Sequence, residues 1–183
     1  MDTRSVNYIV TNDTEIRPRD DLFATALPIV EVTQVVRSRI RARRTLVLLD
    51  TCHSGAATAG AQRLTEDVGE SSVSSETLDA IRQGFGRAVI ASSQAGQKSF
   101  ENDEAKNGYF TYYLLQAMKK RKGQDSIDKV YVYAYVADGV SKGVAAKFQM
   151  QQTPVLSQSE QGAEIVLGMV VAETAASPNV GHL

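Results

Sequence analysis

Residues 45–49, TLVLL, form an apolar run that leads directly into the polar segment DTCHSG. A continuous apolar run of this length is typical of a strand covered on both faces, as in a parallel sheet. A second run of the same kind, AVIAS, occupies residues 88–92. Helical patterns alternate with these runs, so the sequence predicts an α/β fold whose functional site lies at the carboxyl ends of the strands.

Helical periodicity is clearest in two segments. Apolar residues recur at helical spacing from Ile29 onward, and arginines crowd the end of that segment, which predicts a helix from Ile29 to near Arg43. A second helix is predicted from Tyr109 to about Arg121, because its apolar residues share one face. Five arginines, at 37, 39, 41, 43 and 44, surround the end of the first helix and predict a solvated basic surface rather than a phosphate site.

The other segments give weaker patterns. NYIV at 7–10 and AEIVLGMVV at 163–171 are typical of strands, whereas the glycine-, serine- and acid-rich residues 56–76 predict a mobile surface linker. SIDKVYVYAYVADGV fits a strand by its β-branched and aromatic content and a helix by its apolar spacing. We expect a helix with Ser126 as its N-cap and a buried stripe formed by Ile127, Val130, Ala134 and Ala137.

Composition limits the class of protein. The 183 residues are 43% hydrophobic and 22% charged, which fits one soluble globular domain. Twenty basic residues against 21 acidic ones leave a net charge of −1, so no global field recruits nucleic acid or a membrane surface. The single cysteine excludes an internal disulfide framework, and no signal-peptide or membrane-span pattern is present. We therefore expect a cytoplasmic protein without nucleic-acid or membrane partners.

The single cysteine, Cys52, lies where the first predicted buried strand ends. If the strand continues through it, Asp50 and Cys52 face the same side and His53 faces away, which places His53 poorly for taking a proton from the sulfur. Gly55 then allows the backbone to turn sharply and approach a ligand closely.

Three roles for Cys52 follow from the residues alone. It can be a small buried hydrophobe, the commonest fate of a free cysteine. A zinc ligand has little support, because no second Cys or His cluster supplies further ligands. A nucleophile needs an activating histidine, and the chain has only His53 and His182, the latter in a polar tail.

Four segments in order resemble motifs of the metacaspase-type branch of the caspase superfamily. VLLDTCHSG resembles its nucleophile motif D-[AS]-C-H-S-G, and AVIASSQAGQKSFE resembles its next strand and loop. GYFTYYLLQAM resembles its G-x-F-T helix, and QQTPVL resembles its Q-x-P segment before a last strand. The resemblance covers Leu46 to about Gly168 and implies a caspase-like three-layer sandwich, with helices on both faces of a mostly parallel central sheet.

The resemblance also implies roles for individual residues. Cys52 would be the nucleophile of a cysteine endopeptidase, with backbone N–H groups around the turn at Gly55 binding the oxyanion. Asp50 matches an acid at the floor of the S1 pocket, which implies a polypeptide substrate cleaved after arginine or lysine. Ser92 matches a serine bordering the substrate cleft, although an ordinary strand-end hydroxyl explains it equally well. Arg63, in the linker at 56–76, is a candidate processing site.

The family's histidine has no match in this chain. Its S-G-H-G motif projects to a position just before Met1, so we expect an N-terminally truncated caspase-like domain at 1–172, followed by a polar tail at 173–183. The chain would then be inactive alone, with the histidine supplied by its own N-terminal fragment or by a second chain. The alternative is a non-catalytic pseudo-caspase that serves as an interaction or scaffold domain.

Neither a cofactor nor a metal site is predicted. The acids Asp20, Asp21, Asp103 and Glu104 are scattered and form no recognisable calcium loop. Calcium activates many metacaspases, and the sequence leaves that dependence open.

Overall fold

The computed structural model describes residues 8–11, 13–15, 19–50, 73–120, 127–162 and 165–168. Its central element is a three-stranded sheet of β3 (Thr45–Leu49), β4 (Arg87–Ala91) and β8 (Val155–Gln158), in the order β3-β4-β8. β3 and β4 are parallel, with Leu49 opposite Ala91, whereas β8 runs antiparallel to β4. The predicted α/β class and both predicted strands are confirmed, and the sheet of the described residues is small and mixed. β4 is buried as predicted, but β3 is only half-buried and its Leu48 is exposed, so the prediction of a strand covered on both faces was wrong for β3.

Three two-stranded pairings accompany this sheet. β1 (Tyr8–Ile9) pairs with β2 (Leu27–Pro28), and β5 (Glu101–Asn102) pairs with β6 (Asn107–Gly108). β7 (Ile127–Asp128) pairs with β9 (Val166–Gly168). The strand predicted at the end of the chain is therefore found, but it pairs with β7 instead of joining the central sheet.

Five α-helices connect these strands in the described residues. Their bounds are α1 (Arg19–Thr25), α2 (Ile29–Ser38), α3 (Ser75–Arg82), α4 (Tyr109–Lys120) and α5 (Lys129–Phe148), and a 3₁₀ turn, η1, covers Glu160–Gly162.

The helix predicted from Ile29 begins at that residue but ends at Ser38, not near Arg43. The guanidinium of Arg87 donates to the carbonyls of Val36 and Arg37 at 3.1 and 3.3 Å, so a side chain from another strand satisfies the last turn. Ile40, predicted on the apolar stripe, is exposed.

The segment that fitted both a strand and a helix contains both. Ile127 and Asp128 form β7, and α5 begins at Lys129 with Asp128 as N-cap, its carboxylate accepting from the N–H of Tyr131 at 2.8 Å. The prediction of Ser126 as N-cap was wrong. The predicted stripe was also wrong, since the buried residues of α5 are Lys129, Val132, Val136, Val140 and Val144.

The linker predicted at 56–76 is described only from residue 73 onward. Val73 is buried, and α3 begins at Ser75 with Ser74 as N-cap. Residues 56–72 lie outside the described part of the chain.

Two apolar clusters lie on opposite faces of the central sheet. Ile90, with Leu46 and Leu156, packs against α4 and α5 through residues such as Phe110 and Val136. On the other face, Val89 and Ala91 pack against α2 and α3 through Ile29, Leu78 and Ile81. This division follows from the alternation of side chains along a strand and explains why β4 is apolar at successive positions.

Candidate active site

The carboxyl ends of β3 and β4 meet at one edge of the sheet. Ser92, directly after β4, donates its backbone N–H to the carbonyl of Leu49 at 2.9 Å. Asp50 follows Leu49 in the parallel strand, so Asp50 and Ser92 leave the sheet side by side. The two residues therefore lie next to each other at this edge.

Asp50 is half-buried at this edge and accepts a hydrogen bond from the hydroxyl of Thr111. Thr111 is the third residue of α4, so the carboxylate lies near the amino end of that helix. The hydroxyl of Thr111 therefore holds the orientation of this carboxylate. The fold thus fixes a carboxylate at the strand end, two residues before Cys52.

Ser92 belongs to a cluster of buried hydroxyls. Its side chain is only 1% exposed, and its Oγ lies 2.7 Å from Oγ of Ser99. Ser99 also donates to Oγ of Ser93 at 3.3 Å. Each buried hydroxyl therefore has a polar partner within the cluster. The bonds join the residues directly after β4 to Ser99 and so hold the loop close to the end of the strand.

Gln152 joins this loop to the segment before β8. Its side chain is buried, its amide nitrogen donates to the carbonyl of Ser92 at 3.0 Å, and its amide oxygen accepts from the N–H of Phe100 at 2.9 Å. A further bond joins the same two segments: the side-chain oxygen of Gln97, in the loop after β4, accepts from the N–H of Thr153 at 2.7 Å. Three elements that are distant in sequence are therefore fixed around one sheet edge.

A short hairpin leads from this loop to Thr111. β5 and β6 turn back on each other, and the carbonyl of Phe100 accepts from the N–H of Tyr109 at 3.0 Å, at the first residue of α4. The backbone hydrogen bond between Phe100 and Tyr109 thus joins the loop held by Gln152 to the helix that carries Thr111.

The nucleophile candidate itself lies outside the described residues. The same is true of Gly55, of Arg63, and of both histidines, His53 and His182. Among the predicted site residues, the structure therefore describes Asp50 and Ser92 and brings them together.

Thr111 and Gln152 received no role from sequence reasoning. Both fall within segments that the sequence singled out, GYFTYYLLQAM and QQTPVL, but neither spacing nor residue type indicated their partners. Their contacts to Asp50 and Ser92 span 61 and 60 residues and arise only in the folded chain.

Within the described ranges, no group of three or more His, Cys, Asp or Glu side chains is arranged to hold a metal ion. None of the helices described is both long and apolar enough to cross a bilayer.

An α/β domain with an acid and a serine at the carboxyl ends of adjacent parallel strands belongs to a class that places its chemistry at that edge. Residues 2–165 match the family model of the caspase domain, peptidase family C14. The chain therefore belongs to the caspase domain family and is a cysteine-type peptidase by descent. No curated protein matches it significantly.

Proposed function

We propose that this chain carries the nucleophile and the specificity acid of a metacaspase-type endopeptidase that cleaves polypeptides after arginine or lysine. The observation that supports this most directly is Asp50, a half-buried carboxylate oriented by Thr111 at the sheet edge that leads to Cys52. A carboxylate in that position is suited to a guanidinium or ammonium group and repels the acidic side chain that animal caspases accept.

The proposed reaction begins at Cys52. Its thiolate attacks the scissile carbonyl, and backbone N–H groups near Gly55 bind the oxyanion that forms. The C–N bond then breaks as an imidazolium protonates the leaving amine, and water hydrolyses the resulting thioester. The reaction needs no redox step and no cofactor, and chelation with EGTA tests whether calcium controls it.

The described residues contribute substrate positioning to this scheme. Asp50 forms the floor of the pocket for the basic side chain. Ser92 shapes the cleft without contacting the substrate, because its buried hydroxyl is bonded to Ser99 and its carbonyl accepts a hydrogen bond from Gln152. We propose that the hydrogen-bonded loop after β4 forms the wall of the cleft. The same proposal includes the overall architecture of the complete caspase domain, with three layers and a mostly parallel central sheet.

The general base is proposed to come from outside these 183 residues. His53 is adjacent to Cys52 in sequence and would face away from it if the strand continued, and His182 is the penultimate residue. A histidine on a preceding segment or on a second chain would complete the dyad. The chain alone is therefore expected to cleave no basic peptide.

A fluorogenic peptide ending in arginine tests this function. Protein extended at its N-terminus by its natural coding sequence is expected to cleave the peptide, and its Cys52→Ala variant is expected to lose at least about a thousandfold in kcat/KM. Equal turnover by both proteins would remove Cys52 as the nucleophile. Absence of cleavage by the extended protein would favour the non-catalytic interaction domain.

Processing can be followed in the same material. We propose Arg63 as the cut site in the linker, and Arg63→Gln is expected to leave the chain intact while wild-type protein is cut. Active protein that stays intact at Arg63 would dismiss the processing role without affecting Cys52.

A further inference from the structure

We propose that the sheet edge opposite the candidate active site is a docking surface for an acidic protein segment that also carries a large apolar side chain. The surface, called here the basic edge, consists of Arg37, Arg39, Arg41 and Arg43 with Ile40 and Phe85. The proposal does not depend on peptidase chemistry.

The basic edge is a local concentration of charge in a nearly neutral chain. Residues 32–49 contain five arginines and no acid, and the two nearest acids in sequence, Glu31 and Asp50, lie in the first turn of α2 and beyond the far end of β3. Residues 37–44 are all exposed. Within the described part of the chain, none of the four arginines of the basic edge forms an ion pair.

A tight turn brings an aromatic ring to the same place. Phe85 lies between α3 and β4 and is 70% exposed, the largest exposed fraction among the large hydrophobic residues described. Gly86, next to it, has φ of +66°, and an added Cβ there would lie 2.1 Å from the carbonyl oxygen of Arg43. The carbonyl of Gly86 accepts from the N–H of Thr45 at 3.0 Å, so the turn and the arginine segment are in direct contact.

Arg87 holds the surface in shape. Its guanidinium donates to the carbonyls of Val36 and Arg37 at the end of α2, and to the carbonyl of Gln83 after α3 at 2.7 Å. Two helix ends and the Phe85 turn are therefore tied together by one side chain. The arginines extend from a fixed base, which reduces the entropy lost when a partner binds.

The residue types favour a protein partner over nucleic acid. Arginine and aromatic side chains dominate binding energy at protein interfaces, and guanidinium groups pair with carboxylates in a bidentate manner. Phe85 and Ile40 are both exposed at this edge and offer apolar surface that can anchor a large apolar side chain of an acidic peptide. One aromatic ring, with no further exposed ring in the described part of the chain, provides little of the stacking platform that a nucleic acid uses. A polybasic surface alone would attract any polyanion, so the anchor is the discriminating feature.

The test uses the intact chain and labelled probes. A synthetic peptide repeating Glu-Glu-Phe is compared by fluorescence anisotropy with a peptide repeating Glu-Glu-Gly, with oligothymidylate of equal charge, and with phosphatidylserine vesicles. We expect the Phe peptide to bind most tightly and to bind more weakly as salt rises from low ionic strength to about 0.15 M.

The variants separate charge from the apolar anchor. The triple variant Arg39→Gln, Arg41→Gln and Arg43→Gln is expected to bind the Phe peptide about tenfold more weakly. Phe85→Ser is expected to remove most of the difference between the two peptides while keeping the salt dependence. All four positions are exposed, so circular dichroism should report an unchanged fold.

A charge-matched control uses lysines elsewhere on the surface: Lys98→Gln, Lys106→Gln and Lys142→Gln. This control is expected to bind the Phe peptide as wild type does. Equal loss in both triple variants, equal binding of the two peptides, tighter binding of oligothymidylate or vesicles, or no binding at all would each overturn the proposal.

Discussion

Thr111 sets the direction of the Asp50 carboxylate, and its contribution can be measured. Thr111→Val keeps the shape of the side chain but removes the donor to a half-buried carboxylate, so we expect the free energy of unfolding to fall by about 1 kcal/mol. Thr111→Ser keeps the hydroxyl and is the matched control. Urea unfolding gives both values, and equal stability of the Val and Ser variants would contradict the assigned role.

Lys129 is a buried cation at the start of α5. Its side chain is 0% exposed, and its ammonium donates to the side-chain oxygen of Gln158 and to the carbonyl of Gly162. Desolvation lowers the pKa of Lys129, and the nearby charge of Asp128 only partly opposes this. A neutral amine retains two N–H donors, which is the number that these two acceptors require.

The lowered pKa predicts how stability depends on pH. The unfolded chain holds the Lys129 proton up to its ordinary pKa near 10.4, whereas the folded chain releases it earlier. Stability therefore rises with pH between the lowered pKa and that ordinary value, because the unfolded state binds more protons. The unfolding free energy of wild type relative to Lys129→Met should increase across this interval, and a constant or falling difference would contradict the prediction.

At the candidate site, some residue positions could be predicted from the sequence, but their hydrogen-bond partners could not. The convergence of Asp50 and Ser92 was predictable, since parallel strands bring their carboxyl ends to one edge. The partners Thr111 and Gln152 were not, because a hydroxyl or amide has no periodic signal and its contacts depend on how α4 and the β8 segment pack.

At the scale of elements, local pattern located most helices but not all of their ends. α2 ends earlier than predicted, at a point where the guanidinium of Arg87 on β4 donates to carbonyls of its last turn. α5 is apolar on most sides, so periodicity did not identify its buried face, and packing against α4 selected the valines at every fourth position from Val132 to Val144. α3 escaped prediction because its sequence follows a long stretch of loop-like composition.

The α4–α5 contact gives a third stability prediction. A Cβ on Gly139 would lie 2.3 Å from Cδ1 of Tyr113, and the rings of Tyr109 and Tyr113 fill this interface. Gly139→Ala should therefore lower the free energy of unfolding by about 1–3 kcal/mol, although alanine favours helix by about 1 kcal/mol.

Ala146→Gly, at an exposed position of the same helix, measures the propensity term alone and should cost about 1 kcal/mol. Chemical denaturation provides both numbers. A Gly139→Ala variant more stable than wild type would show that α4 and α5 are not packed at this distance.

At the scale of the whole molecule, the central sheet separates the two proposed functional surfaces. Its carboxyl edge carries Asp50 and the hydrogen-bonded loop after β4, and its amino edge carries the arginines and Phe85. Net charge could not predict this arrangement, because a total of −1 conceals a strongly basic end. Family membership rests on the match over residues 2–165, whereas the mixed character of the small sheet is visible only in its strand pairing.

The central claim is that Asp50 selects a basic side chain for attack by Cys52. Because Cys52 is the only cysteine, intact mass spectrometry can follow its alkylation without ambiguity, even in a chain that turns over no substrate. The two reagents are peptidyl chloromethyl ketones that differ only in carrying arginine or norleucine at the reactive end.

We predict at least tenfold faster alkylation by the arginine reagent, a preference of about 1.4 kcal/mol. In Asp50→Asn this preference should disappear, while the norleucine rate stays within about twofold of wild type. Equal rates for the two reagents in the wild-type chain, or a preference that survives in Asp50→Asn, would contradict the claim.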